Sequence, residues 1–332
     1  MSIRVEAPGL QTTLQQLRRP GLSQSGPGPD GVMDEVSHRL VSLLVGNPPE
    51  TPSMEITRTG PVLEFETEVM IALGGADLSA EIDGLPVPLW RPVMVRAGAQ
   101  MRFGKPLEGS FCYLAVAGGF SSPASASVNT DLAAEFEGLQ DRALRAGDRL
   151  GTEPPPPGRY PQLQRCFQRE DRAIVGLGWS VPWYQELDFR RPATLRVIPG
   201  PNWPVLTAEA KASLLGETFR VASDSDRQGL HLRGPKLALE HPLQPPMSAA
   251  AGTLQMPEDG HPILLLADRN GTARHPGLAE LASVDLPKAA HLRPGDPLRW
   301  QSITPEQARQ LQDQRDLRFQ ELAAQVSDRM LR

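Results

Sequence analysis

"SMEITRTGPVLEFETEVMIALGG", residues 53–75, decides the fold class. It divides into short runs rich in apolar and β-branched residues, each closed by Gly or Pro, which is how strands joined by turns read. The same punctuation recurs in "AEIDG", "MVRAG", "QMRFG", "SFCYLAVAGG", "TLRVIPG" and "HPILLLAD". The 34 prolines and 30 glycines are spread along the whole chain, so its elements are short. Strands of this length and spacing suit a barrel or a sandwich. The expected fold class is mainly β, with few short helices and a helix at the C-terminus.

Three helices are expected. In "MDEVSHRLVSLLVGN", Val36, Leu40, Leu43 and Leu44 recur on one face and Gly46 supplies a stop. A second lies near "TAEAKASLL". The clearest begins at Thr304, which can cap, with Pro305 in the first turn and Gln307 completing a capping box. Leu311, Phe319, Leu322, Val326 and Met330 then approximate one stripe.

Three stretches share one form: "RAGAQMRF" at 96–103, "RAGDRLGT" at 145–152 and "RPGDPLRW" at 293–300. Each reads as a turn feeding a strand, which the turn chemistry of glycine explains as well as a duplication would. Between the second and third lies "EPPPPGRYPQLQRCF", whose consecutive prolines force an extended stretch. A chain of 332 residues has room for two cores. The expected domains are 1–152 and 192–302, with a Pro-rich linker at 153–191 and the C-terminal helix at 303–332.

A net charge of −5 argues against nucleic acid or acidic lipid as default partners. Cys112 and Cys166 form no C-x-x-C pair, which fits a reducing compartment. The N-terminus lacks the pattern of a signal peptide, and runs such as "PILLLA" fall short of the roughly 18 residues of a membrane span. A cytoplasmic protein is expected. No G-x-x-x-x-G-K-[ST], G-x-G-x-x-G or G-x-S-x-G occurs, and the six histidines have no metal-ligand spacing, so no metal is expected.

The polar residues that stand out follow buried-looking runs. "ADRNGTARHPG", 267–277, places Asp268, Arg269, Asn270, Thr272 and His275 directly after "PILLL". Asp268 and Arg269 would orient a small amide by charge-assisted hydrogen bonds at a barrel mouth, or would simply cap loop backbone. Gln255 would present an amide to such a substrate or satisfy a strand edge. Asp226 and Arg227 would belong to the same pocket or to a solvated turn. Met33 and Asp34 stand at a helix start, where Asp favours the dipole, and Asn47 reads as a helix stop. His275 has the chemistry of a neutral-pH proton carrier.

The blocks "VEAPGLQTTLQQLRRPG", "GVMDEVSHRLVSLLVGNPPETPSMEITRTGP", "YLAVAGGF", "LRAGDRL", "LRVIPGPN", "SDSDRQGLHLRG", "GTLQMPEDGHPILLLADRNGTARHPG" and "LRPGDPLRW" occur in that order. Together they resemble the biotin-dependent carboxyltransferase family over nearly all of residues 3–302. That family comprises the C-type subunit of 5-oxoprolinase and the second subunit or domain of allophanate-hydrolase-associated and urea-carboxylase systems. The resemblance implies two cyclophilin-like β-barrel domains, at 1–152 and 192–302, and a B-like partner of related fold. In the 5-oxoprolinase branch, A-like, B-like and C-type subunits together open 5-oxo-L-proline to L-glutamate with ATP hydrolysis. In the urea-carboxylase branch, a carboxyl group moves from carboxybiotin to urea. A kinase-inhibitor antagonist branch implies a third role, a non-catalytic regulatory subunit that binds a B-like protein.

The leading expectation is the C-type subunit of a 5-oxoprolinase-like complex. No cofactor would be bound by this chain: ATP would be used by a partner, and biotin, in the alternative, would ride on another chain because no lysine sits in a Met-Lys-Met context. The candidate catalytic residues are therefore Asp268, Arg269 and Gln255, and the candidate substrate-binding residues Asn270, Thr272, His275, Asp226, Arg227, Met33 and Asp34. Against the family's D-R-Q-T-T-G-G-Y-P, "DRNGTARHP" keeps Asp268, Arg269, Thr272 and Pro276 and departs at Asn270, Gly271, Ala273, Arg274 and His275. Losing the paired glycines removes positive-φ freedom from the loop. "SASVNTD" at 125–131 keeps Thr130 and Asp131, and Gln228 stands where Met is common. These departures mark a divergent member.

Overall fold

The computed structural model describes residues 2–17, 31–121, 142–155, 157–182, 187–241, 250–268 and 275–331. Two compact units emerge: Met1–Leu17, Asp34–Gln185 and Phe319–Arg332 form one, Arg18–Met33 and Glu186–Arg318 the other.

The first unit carries β1 (Ser2–Ala7), β2 (Gln11–Gln15), α1 (Glu35–Leu44), β3 (Ser53–Thr57), β4 (Val62–Phe65), β5 (Val69–Asp77), β6 (Ala80–Ile82), β7 (Leu85–Pro86), β8 (Pro92–Val95), β9 (Gln100–Phe103), β10 (Glu108–Val116), β11 (Phe120–Ser121), β12 (Arg149–Thr152), α2 (Pro161–Arg169) and β13 (Ile174–Gly176). They make two sheets, ordered β11-β12-β1-β4-β9-β6-β7 and β13-β8-β5-β10-β3-β2. Ile3, Val5, Leu63 and Phe65 of the first sheet share one core with Ile56, Ile71, Leu73 and Leu114 of the second. Alternate residues of β1 and β4 are buried, as one covered face requires. By contrast β5 is buried over eight consecutive positions, because α1 packs on the face turned away from the core. Gly74 makes that approach possible: a Cβ there would fall 2.6 Å from the Trp90 ring and 2.8 Å from Val41.

On α1 itself, Val36, Leu40, Val41 and Leu44 are buried, whereas Leu43, expected in the stripe, is only half-buried. Gly46 follows at φ 75°, the left-handed stop that the sequence implied. Asn47 does more than end the helix. Its amide nitrogen donates to the Val116 carbonyl at 2.7 Å and its oxygen accepts from Gly118 N at 2.9 Å, fastening the helix end to the exit of β10.

The stretch expected as a Pro-rich linker, 153–191, contains regular structure. Pro161 opens α2, which buries Leu163 and Phe167 one turn apart, and β13 extends the six-stranded sheet by pairing Ile174 with Val95. Proline blocks hydrogen bonding only locally, so the chain resumes once its apolar residues find a surface.

The second unit holds β14 (Ala193–Pro199), α3 (Ala208–Gly216), β15 (Phe219–Val221), β16 (Gly229–Arg233), β17 (Thr253–Gln255), β18 (Ile263–Leu265), β19 (Gly277–Leu281), α4 (Leu286–Ala290) and β20 (Pro297–Ser302). The strands close a barrel in the order β14-β19-β17-β18-β16-β15-β20, with β20 parallel to β14. Leu230, Leu264, Leu254 and Ala279 stand opposite one another across four adjacent strands, all buried, and mark the barrel interior.

All three recurring turns are alike in space. Gly98, Gly147 and Gly295 have φ of 81°, 93° and 88°, and the following residue donates to the carbonyl of Arg96, Arg145 or Arg293 at 3.3, 3.1 and 2.9 Å. These are turns with glycine at the position that needs positive φ. In the latter two the Asp carboxylate also accepts from the first residue's N–H, Asp148 at 2.7 Å and Asp296 at 3.0 Å, and pairs with Arg142 or Arg191.

The last helix, α5 (Pro305–Met330), begins with the reciprocal cap read from sequence: Thr304 N donates to Gln307 Oε1 at 2.9 Å and Gln307 N to Thr304 Oγ1 at 3.3 Å. Its residues to Arg318 belong to the second unit and those from Phe319 to the first. Among the described residues no helix is long and apolar enough to cross a membrane.

Cys112 lies in β10, and burial pushes its thiol well above the ordinary range, whereas Cys166 is exposed. A thiol reagent is therefore expected to modify one cysteine per folded chain and the second only on unfolding. Counting adducts by mass before and after denaturant checks this.

Candidate functional site

Arg227 and Asp268, read from sequence as members of one pocket, meet directly. The turn before β16 is set by Asp226, whose exposed carboxylate accepts from Gln228 N at 2.8 Å and Gly229 N at 3.3 Å. That Asx turn presents the Arg227 and Gln228 carbonyls to the exit of β18, where Asp268 N donates to the first at 3.0 Å and Leu266 N to the second at 2.9 Å. Above these main-chain bonds the side chains interlock. Arg227 Nε donates to Asp268 Oδ2 at 2.6 Å, and Nη2 donates to Oδ1 at 3.0 Å and to the Gly31 carbonyl at 3.2 Å. Arg227 is 8% exposed, a depth at which a charge needs such a partner.

Gln255 and His275 lie elsewhere on the barrel. On β17, Leu254 points inward, so Gln255 points outward, in a row with His231 and Ile263. That row is at the end of β18 opposite Asp268. β18 and β19 flank β17 and run parallel, which puts half-buried His275, two residues before Gly277 opposite Gln255, near Gln255. The sequence-based set of Asp268 with Gln255 is thus split by the length of β18, roughly 10 Å. Arg269, Asn270 and Thr272 lie outside the described residues, as do Thr130 and Asp131.

Met33 is buried and follows Gly31 by two residues. Asp34 caps α1 through Ser37 N at 3.0 Å and also accepts from the Ser37 hydroxyl. Its own N–H donates to Tyr113 Oη at 2.8 Å, and that hydroxyl donates to Glu55 Oε2 at 2.7 Å. Glu55, Tyr113, His38 and Ser53 form a buried polar layer that the sequence reading missed. Its one signal was polar residues at alternate positions of "SMEIT"; the register that sets Thr13 and Tyr113 on either side of Glu55 is long-range.

His38 Nε2 faces the Pro49 carbonyl at 2.8 Å, which can only accept, so Nε2 carries the proton and Nδ1, 2.7 Å from Ser53 Oγ, accepts from it. Burial holds the imidazole below its ordinary 6.5. Below about pH 6.5 the unfolded chain takes up a proton that the folded chain refuses. This contribution to stability is thus complete above that pH and is lost as pH falls, by at most about 1.4 kcal/mol per unit. Unfolding free energies at pH 7.5 and 5.5 are expected to differ more in the native sequence than in His38→Gln.

Among the described residues no group of three or more His, Cys, Asp or Glu is placed to hold a metal ion. The geometry offers a forked, deeply set ion pair at one end of a closed barrel. The family described as carboxyltransferase domain, subdomain A and B, matches residues 21–302. The chain belongs to this family. Within it, the 5-oxoprolinase C subunit of Haemophilus influenzae is 27% identical over 96% of this chain and 97% of that protein. The Escherichia coli 5-oxoprolinase C subunit is 29% identical over 97% of each. Among solved structures, the urea amidolyase of K. lactis superposes with a TM-score of 0.78 at 24% identity over 96% of this chain, and shows the fold. This carboxyltransferase-domain chain spans 20% of the K. lactis chain.

Proposed function

We propose that the chain is the C-type subunit of a 5-oxoprolinase complex, which opens 5-oxo-L-proline to L-glutamate with hydrolysis of ATP alongside A-like and B-like subunits. One observation carries this reading: the likeness to both proteins named as the C subunit of 5-oxoprolinase extends over 97% of their own length, against 20% for the K. lactis urea amidolyase. In this reading ATP is handled by a partner and this chain binds no cofactor. The cyclic amide is held by Arg269, Asn270 and Thr272, which follow the Arg227–Asp268 pair in sequence, and by His275.

The test is reconstitution from the three purified proteins, following L-glutamate formed from 5-oxoproline and ATP. Product is expected only when all three are present, and equal product without this chain would sink the proposal. A second reading, carboxyl transfer from carboxybiotin on a partner to a urea-like amide, draws on the family's description as a carboxyltransferase domain. Label passing from bicarbonate through a biotin carrier to urea, dependent on this chain, would favour it.

A further inference from the structure

The Arg227–Asp268 pair joins three segments far apart in sequence. One guanidinium reaches a carboxylate 41 residues on and a carbonyl 196 residues back. Both oxygens of Asp268 accept from that one guanidinium, at 2.6 and 3.0 Å, so the carboxylate is committed to the fork. Below the side chains, the main-chain bonds from Leu266 and Asp268 bind the same two stretches together. A planar fork fits this pattern, because lysine carries its three N–H donors on a single rotating nitrogen and cannot span two oxygens and a carbonyl in fixed directions.

We propose that Arg227 is a positioning residue for the reaction, a clasp that acts through Asp268 and the Gly31 carbonyl. It holds the exit of β18, through Asp268, and the stretch 31–33 in one geometry. Asp268 serves the same clasp rather than acting as the base. The proposal rests on the reading of the chain as part of a 5-oxoprolinase for its kinetic consequence, since a misplacement of about 1 Å in a substrate-holding segment costs on the order of a hundredfold in rate. The clasp itself stands on the distances alone.

The experiment has two readouts on Arg227→Lys, Asp268→Asn and the double variant. In the isolated chain, amide hydrogen exchange at Leu266 and Asp268 is expected to quicken about tenfold in each single variant, the loss of a charge-assisted bond. In the assembly of this chain with its A-like and B-like partners, kcat for 5-oxoproline-dependent ATP hydrolysis is expected to fall about a hundredfold in each. The double variant is expected to fall no further, and the residual activity to keep the native pH profile. Unchanged exchange in both single variants overturns the clasp. So does an Asp268→Asn variant that loses activity and the acid limb of its pH profile while Arg227→Lys stays active, or a double loss equal to the product of the singles. Should the native assembly show no 5-oxoproline-dependent hydrolysis, the functional reading fails separately, and exchange still decides the clasp: quickened exchange supports it and unchanged exchange ends it.

Discussion

Replacing Asp285 by Ala is expected to lower the unfolding free energy of the barrel unit by about 3–5 kcal/mol, the usual result of removing one partner from a buried ion pair. The Asp285 side chain is 1% exposed and sits just before α4. It accepts from the Arg196 main-chain N–H at 2.8 Å, from Nε at 2.9 Å and from Nη2 at 2.6 Å, with Lys288 Nζ at 3.6 Å. Arg196 lies on β14, whose neighbours Leu195 and Val197 face the barrel interior. Without the carboxylate, a guanidinium and a strand N–H lose their acceptor together. Asp285→Asn keeps the shape and part of the acceptor capacity and is expected to cost less, about 1–3 kcal/mol. Urea unfolding checks both: the midpoint should fall with an unchanged slope. A loss below about 1 kcal/mol in Asp285→Ala would contradict a buried role.

The second large effect lies in the other unit. Tyr113→Phe removes a hydroxyl that donates to Glu55 and accepts from the Asp34 N–H, in a layer where Glu55 is 1% exposed and Tyr113 fully buried. Two buried polar groups each lose a partner, at about 1–3 kcal/mol apiece, so a total of roughly 2–4 kcal/mol is expected. Because the cause is shared, Glu55→Gln and Tyr113→Phe are expected to be non-additive, with a coupling of about 1 kcal/mol or more in a double-mutant cycle. Strictly additive losses would show that the hydroxyl and the carboxylate act apart.

Local features were legible in the sequence because their physics is local. Gly98, Gly147 and Gly295 each announce a turn whose bond closes over three residues, and the Thr304–Gln307 cap needs only one helical turn. Mainly β architecture followed from the same punctuation. What pairs with what did not, since β14 meets β20 across about a hundred residues and hydrophobic alternation says only which face is covered. "SDSDRQG" read more readily as a solvated turn than as a pocket: Asp226 does stay exposed, but its neighbour Arg227 is drawn inside by Asp268 from another segment. Gln255 was grouped with Asp268 as an amide able to meet the same substrate, and the antiparallel pairing of β17 with β18 sends them to opposite ends of one short strand. Glu55 drew no reading from the sequence, because its cover comes from Thr13 and Tyr113 on the neighbouring strands, pairings that only the long-range register sets.

The most direct measurement is ATP hydrolysis stimulated by 5-oxoproline in a mixture of the A-like and B-like partners, titrated with this chain. Stimulation that rises with the chain and saturates at a fixed stoichiometry is the expected result. Stimulation that is the same with the chain and without it would contradict its assignment as the C-type subunit.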